Sequence, residues 1–322
     1  RTGTMVKPGS DAAVFHVKYA NKILAATSDC NSLYCALDPR EGARIAVAEA
    51  ARNLTCSGAK PLAVTDNLNF GNPYKPENFW QLREAVEGAA EACRAFGTPV
   101  TGGNVSLYNE SPAGVVDPTP TIGMVGLIEK EEHVTTQWFK NAGDEIILVG
   151  EVGDELGGSR FLKVCHGKKI GPPPHVDLPY EIKVQNAVRE LICSGLVKSA
   201  HDCSEGGLAV GLVECCFNPE KLFGAEIDLE TGDTTVATAL FNESQSRIVI
   251  SIAPENLQNT MSMLQERQIP FQQLGRVGGN QLRIRLGSEE FSWPVGDLYD
   301  DWWNAIRRAV ESDSAAEGIP SL

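Results

Sequence analysis

Alternation of apolar and polar positions marks the first elements of the chain. Ala12 to Val17 and Ile23 to Thr27 alternate as half-buried strands do, and a polar turn around residues 19–22 joins them. An Ala-rich stretch from Gly42 to Cys56 predicts a helix closed by Gly58. Leu62 to Thr65 predicts a short strand running into a loop dense in Asn, Asp and Gly, residues 66–73. Phe79, Leu82, Val86, Ala89, Cys93 and Phe96 recur at alternating spacings of three and four, the pattern of an amphipathic helix laid on a sheet. Gly97 ends that helix, a strand follows from Pro99, and another spans Thr121 to Ile128. Strands and helices mixed in this order predict an α/β or α+β layer.

The pattern lapses into polar residues between Glu131 and Asp144, which predicts a boundary between a first domain, 1–135, and a second, 136–311. The second opens with a strand, Glu145 to Val149. A Gly-Gly-Ser loop at 157–159 leads to a short helix, and Gly171-Pro-Pro-Pro174 is stiff and extended. Val184, Ala187, Val188, Leu191 and Ile192 share one helix face, and a further helix starts near Leu208. A buried strand at 247–252, a helix at 254–267 and strands at 271–277 and 282–286 follow. A last helix carries Leu298, Trp302, Ala305, Ile306 and Ala309 on one side, and residues 312–322 read as a disordered tail.

Composition narrows the function classes. The 322 residues suffice for two ordinary domains, and no apolar run approaches the ~20 residues of a membrane span. The formal net charge of −14 argues against nucleic acid and against anionic membranes as partners. It leaves nucleotides open, because backbone N–H groups and Mg²⁺ can supply the positive potential. Nine cysteines without framework spacing suggest reduced thiols in a cytoplasmic protein. His201 and Cys203 are better explained by packing than by zinc. The chain opens on Arg1 rather than Met, and its first residues resemble the middle of a longer protein.

The candidate chemistry begins at a double glycine. Gly102 and Gly103 lack a Cβ and permit close backbone approach to a ligand. Asn104 and Ser106 follow with same-side spacing on the expected strand, offering an amide and a hydroxyl to one pocket. Asp66 is expected at the end of the preceding strand, where it could accept a hydrogen bond or hold Mg²⁺ through water, or simply form a turn. Asp202-Cys-Ser-Glu-Gly-Gly207 precedes a helix, with Asp202 or Ser204 as candidate caps and its N–H groups as a candidate anion site. Glu243-Ser-Gln-Ser246 could face a pocket or form a polar turn. Neither a Walker loop, nor a dinucleotide fingerprint, nor a nucleophile elbow is present, and the five histidines stand apart from one another.

Longer motifs carry a family resemblance. They include Asp29-Cys-Asn-Ser32, Ile45-Ala-Val-Ala-Glu-Ala-Ala-Arg-Asn53, Leu62-Ala-Val-Thr-Asp-Asn-Leu-Asn-Phe-Gly-Asn-Pro73, Thr101-Gly-Gly-Asn-Val-Ser-Leu-Tyr-Asn109 and His201-Asp-Cys-Ser-Glu-Gly-Gly-Leu-Ala209. With Pro120 to Ile128 and Glu243 to Arg247, they resemble the small-type synthetase subunit of phosphoribosylformylglycinamidine synthase, specifically its C-terminal half. The resemblance implies an aminoimidazole-ribonucleotide-synthetase-like N-terminal-type α/β domain followed by an α+β C-terminal-type domain. The first would pair through its sheet with a counterpart in the other half.

The implied reaction is ATP-dependent conversion of an amide to an amidine. The amide of formylglycinamide ribonucleotide is phosphorylated, and ammonia from a glutaminase subunit displaces the phosphate. Carried over by position, Asp66 and Gly103 match ATP contacts, Asn104 a Mg²⁺ ligand and Ser106 a substrate contact. The family's catalytic histidines belong to the other half, so this chain would supply one wall of a composite site and be inactive alone. Implied partners are that N-terminal half, the glutaminase subunit and a small bridging subunit. Leu33, in place of a usual basic residue, and Gly157-Gly-Ser-Arg160, which lacks an acidic residue, depart from the pattern of an auxiliary nucleotide site near 202–207. A module that only pairs and binds no nucleotide is the rival from another class. A selenophosphate or thiamin-phosphate relative is the enzymatic one.

Overall fold

The computed structural model describes residues 3–7, 9–230 and 234–316, with side chains to 311. The first domain runs β1 (Ala13–Val17), β2 (Lys22–Asp29), α1 (Ser32–Leu37), α2 (Pro39–Cys56), β3 (Lys60–Asn69), α3 (Pro76–Phe96) and β4 (Val100–Ser106). A hairpin of β5 (Glu110–Ser111) and β6 (Gly114–Val115) then leads to β7 (Thr119–Ile128). The sheet order is β1-β2-β7-β3-β4; β3 and β4 are parallel and the other neighbours antiparallel.

Helix α2 is the hinge of the architecture. Asp38 caps it, accepting from the N–H groups of Arg40 and Glu41, and Pro39 takes the first helical position. Its alanines let it pass between layers: Ala46, Ala50 and Leu54 join the core of the first sheet, while Cys56 joins the core beneath the second. Helix α3 packs chiefly on α2. Ala85, Gly88 and Ala92 form its buried face, and a Cβ at Gly88 would lie 2.1 Å from the Arg40 carbonyl oxygen. Of the stripe expected from periodicity, Cys93 is buried and Leu82, Ala89 and Phe96 pack against the core, while Phe79 and Val86 are about half exposed. Close helix–helix approach selects small residues over large ones.

Strand β3 is longer than the sequence predicts. Residues 66–69, expected in a loop, pair with Thr119–Ile122 on one side and Gly103–Ser106 on the other. Asp and Asn favour turns locally, but a central strand provides partners for every backbone group and overrides that preference.

The second domain comprises β8 (Glu145–Val149), α4 (Arg160–His166), α5 (Leu178–Cys193), β9 (Val197–Asp202), α6 (Gly207–Cys215), β10 (Ala225–Leu229) and α7 (Val236–Phe241). It continues through β11 (Ile248–Ile252), α8 (Leu257–Glu266), β12 (Phe271–Val277), β13 (Gln281–Leu286), β14 (Glu289–Pro294) and α9 (Val295–Ala316). The sheet order is β14-β13-β10-β12-β8-β11-β9, with β8 and β11 fully buried and each paired on both sides. Helix α5 covers one face through Val184, Val188 and Leu191; α6 and Phe139 cover the other. Helix α9 continues through 312–316, where the sequence predicted the start of a tail; 317–322 lie outside the described residues. Its stripe packs through Leu298 but is otherwise largely open, with Trp302 41% and Ile306 80% exposed. Among the described residues no helix is long and apolar enough to cross a membrane. The two layers are the α/β and α+β arrangement expected.

Candidate functional site

The four candidate residues lie on neighbouring strands at one edge of the first sheet, Asn104 and Ser106 on one face and Asp66, beside Gly103, turned to the other. Asp66 pairs with Gly103, Asn67 with Asn104 and Asn69 with Ser106. Asp66 therefore lies within β3, not at its end. Gly103 is required there by space: a Cβ would sit 1.8 Å from Asp66 Oδ1 and 2.5 Å from its carbonyl oxygen. Gly102 has nothing within 4 Å of such a Cβ. Partial burial raises the Asp66 pKa, opposed by a backbone hydrogen bond.

Asn104 Nδ2 donates to Asn67 Oδ1 at 3.0 Å, which fixes the amide and leaves its own Oδ1 as the oxygen available to a hard cation. Ser106 is held by Asn109, whose Nδ2 donates to Ser106 O at 2.9 Å and Oγ at 3.3 Å. Alternation places Asn104 and Ser106 on the same face as the exposed Asn67, as the spacing predicted. That face is open. Leu62 and Val125 are exposed on the sheet, and all of β4 except Ser106 is exposed.

A second polar constellation is buried between the domains. Arg52 of α2 donates to Glu181 Oε1 at 3.0 Å, Gln245 Oε1 at 2.6 Å and Cys203 O at 3.4 Å, and lies 3.9 Å from Asp202. Burial opposes its charge, yet Glu181, Asp202 and Glu49 hold its pKa above the ordinary value. Burial, joined by mutual repulsion with Asp202, lifts the Asp29 and Glu49 carboxyls well above the usual range. Asp202 is pushed up to about 6, chiefly by burial.

Glu243 is the residue sequence reasoning undervalued. Fully buried, its carboxylate accepts the Gly206 N–H at 2.7 Å, the Arg160 N–H at 2.8 Å and the Tyr34 hydroxyl. Neither Asp202 nor Ser204 caps α6, as the sequence led us to expect. Gly206 occupies the cap position at φ +83, and Glu243, distant in sequence, satisfies its N–H. A polar turn and a buried anchor look alike in sequence.

His201 bridges the domains, with Nδ1 2.6 Å from Asp11 and Nε2 3.1 Å from Glu214. Donor atoms of Asp11, His201 and Asp202 lie within 4.8 Å of one another, a grouping able to hold a cation. One carboxylate oxygen each of Asp11 and Asp202 is buried without a hydrogen-bond partner. Cys203 packs in the core beside this group.

Family models for AIR synthase related proteins match both layers, the N-terminal domain at residues 9–128 and the C-terminal domain at 141–287. The chain belongs to the AIR synthase related family. Its sequence is 48% identical over 313 residues to phosphoribosylformylglycinamidine synthase subunit PurL of Alkaliphilus metalliredigens, covering 97% of this chain. It spans 42% of that relative's length. Two solved complexes of Thermotoga maritima PurL share the fold. The complex with FGAR superposes at TM-score 0.72 and 18% identity, over 92% of this chain and 47% of that one. The ATP complex does so at 0.68 and 19%, over 92% and 46%. In this AIR synthase related chain, Thr101 to Asn109 forms β4 and the turn after it, and Asp202 to Gly207 leads from β9 into α6.

Proposed function

We propose that the chain is the C-terminal half of a cytoplasmic phosphoribosylformylglycinamidine synthase subunit in purine biosynthesis. It contributes one wall of a composite ATP, Mg²⁺ and FGAR site and is inactive alone. The boundary near 135 divides the pairing domain from the second domain. The observation that carries this reading is the alignment of Asp66, Gly103, Asn104 and Ser106 on two adjacent strands, in a chain 48% identical to a PurL subunit.

The residues suit those ligands. Gly103 has no side chain, so a nucleotide can approach the backbone there, with the Asp66 carboxylate beside it on the face opposite Asn104 and Ser106. Asn104 Oδ1 is a neutral oxygen of the kind Mg²⁺ takes, and the Ser106 hydroxyl can orient a substrate oxygen. ATP, when bound, supplies the phosphoryl group that activates the amide, and this chain's residues serve to position it. The open sheet face with Leu62 and Val125 suits pairing with the N-terminal half. The glutaminase and bridging subunits would then deliver ammonia.

The auxiliary site near 202–207 is assigned a structural role, because the buried Arg52 guanidinium already faces Glu181 and Asp202. The pairing-only reading draws on the same open face. The test is to mix this chain with a separately purified N-terminal half and follow ATP hydrolysis that depends on FGAR and ammonia. Activity in the mixture alone, lost in Asn104→Ala, supports the composite site. An inactive complex of folded halves leaves pairing as the function.

A further inference from the structure

We propose that Cys30 and Cys35 are an oxidisable dithiol, a modification site that closes to a disulfide across the start of α1. Asn31 caps this helix, accepting from Leu33 N–H at 3.0 Å and Tyr34 N–H at 3.2 Å. Cys30 is therefore the residue before the cap, and Cys35 is the fourth residue of the helix. In a capped helix the side chains at these two positions turn toward each other, and an apolar pair commonly packs there. Here both are thiols, and a hydrogen bond with Cys30, followed by burial, raises the Cys35 thiol well above its ordinary pKa.

Packing holds the pair in place. Helix α2 approaches so closely that a Cβ at Gly42 would sit 2.7 Å from Cys35 Sγ, so the Cys35 side chain is packed against α2. The two differ in access: Cys35 is buried, whereas Cys30 is only partly covered. An oxidant therefore meets Cys30 first, and Cys35 is placed to resolve the product.

With a hydroperoxide as oxidant, the Cys30 thiolate attacks the terminal oxygen. The O–O bond breaks and the leaving oxygen departs as water or an alcohol, giving a sulfenic acid. The Cys35 thiol then attacks that sulfur, the S–S bond forms, the S–O bond breaks, and the thiol's proton leaves with the hydroxide as water. Two thiols are oxidised and one peroxide is reduced. Closure would fix the joint between β2 and α1, which carries Asp29, itself bonded to Asn53 at 3.2 Å, and Tyr34, bonded to Glu243.

The test uses the intact chain, hydrogen peroxide and an alkylating quench under denaturing conditions. Trypsin releases residues 23–40 as one peptide containing both cysteines and no other. Exposed Cys165 serves as the reference thiol. The expected product is this peptide lighter by two hydrogens, unalkylated, and restored by dithiothreitol. In Cys35→Ser, Cys30 should stop at the sulfenic acid and be trapped by dimedone. Full alkylation of both thiols at a dose that oxidises half of Cys165 overturns the proposal. So does irreversible oxidation of Cys30 without closure.

Discussion

Arg52 of α2 and Glu181 of α5 meet at 3.0 Å with both side chains wholly excluded from solvent. Each comes from a different domain, so the pair ties one layer to the other. Ser246 and Gln185 complete the shell around the carboxylate. Removing one partner leaves the other charge buried and uncompensated, which typically costs about 3–5 kcal/mol. Arg52→Met and Glu181→Leu should each show that loss in urea unfolding. The double variant should lose markedly less than the sum of the two. Strict additivity would mean that the two groups do not act as a pair.

Glu243 carries a different kind of load. Its carboxylate gathers a hydroxyl from α1 and N–H groups at the starts of α4 and α6. Tyr34→Phe removes one of three donors, and the carboxylate keeps two N–H bonds, so a loss of about 1–2 kcal/mol is expected. Glu243→Ala strands two buried N–H groups and the Tyr34 hydroxyl together, and should cost clearly more. Equal midpoints for the two variants in thermal unfolding would contradict this order.

Much of this architecture was legible in sequence, for physical reasons that differ by element. Strands β8 and β11 are short apolar runs buried on both faces, and α5 shows its stripe because one side alone meets the sheet. Helix α3 was legible in part: Cys93 of its stripe is buried, but Ala85, Gly88 and Ala92, which periodicity of large residues overlooks, share that side. Residues 66–69 misled because a local turn preference yields to pairing on both sides. Asn104 and Ser106 were placed on one face by simple alternation. Arg52, Glu181 and Glu243 were not picked out as a buried network, since a charged residue in sequence reads as solvated until a distant partner is known.

Two buried groups set opposite ends of a pH profile. Burial disfavours the His201 imidazolium, but Asp11 and Glu214 outweigh it and hold its pKa well above the usual value. Asp202 is pushed up to about 6, mainly by burial. For both, the folded state binds the proton more tightly than the unfolded chain, so stability falls as pH rises through each window. The Asp202 window runs from about 4 to 6, and that of His201 opens near 6.5 and extends upward. Each contributes a slope of at most ~1.4 kcal/mol per pH unit. In urea titrations, Asp202→Asn should reduce the slope in the lower window, to which Asp29 and Glu49 also contribute, and His201→Gln the slope above 6.5. An unchanged profile above pH 6.5 in His201→Gln would contradict the ion-pair assignment.

The double glycine supplies the sharpest contrast, because its two members sit side by side in β4 with different surroundings. A methyl group at Gly103 would meet Asp66 Oδ1 at 1.8 Å and the Asp66 carbonyl at 2.5 Å, and the second obstacle is backbone, which cannot swing aside. A methyl group at Gly102 would meet nothing within 4 Å. Gly103→Ala should therefore lower stability by about 1–3 kcal/mol through overpacking. Gly102→Ala should be neutral or slightly stabilising, since alanine loses less conformational entropy in a strand. The same pair separates fold from function in the mixed-halves assay. Gly102→Ala should stay active if only Gly103 must remain bare for the nucleotide, whereas loss of activity in Gly102→Ala with unchanged stability would extend the nucleotide contact to both glycines.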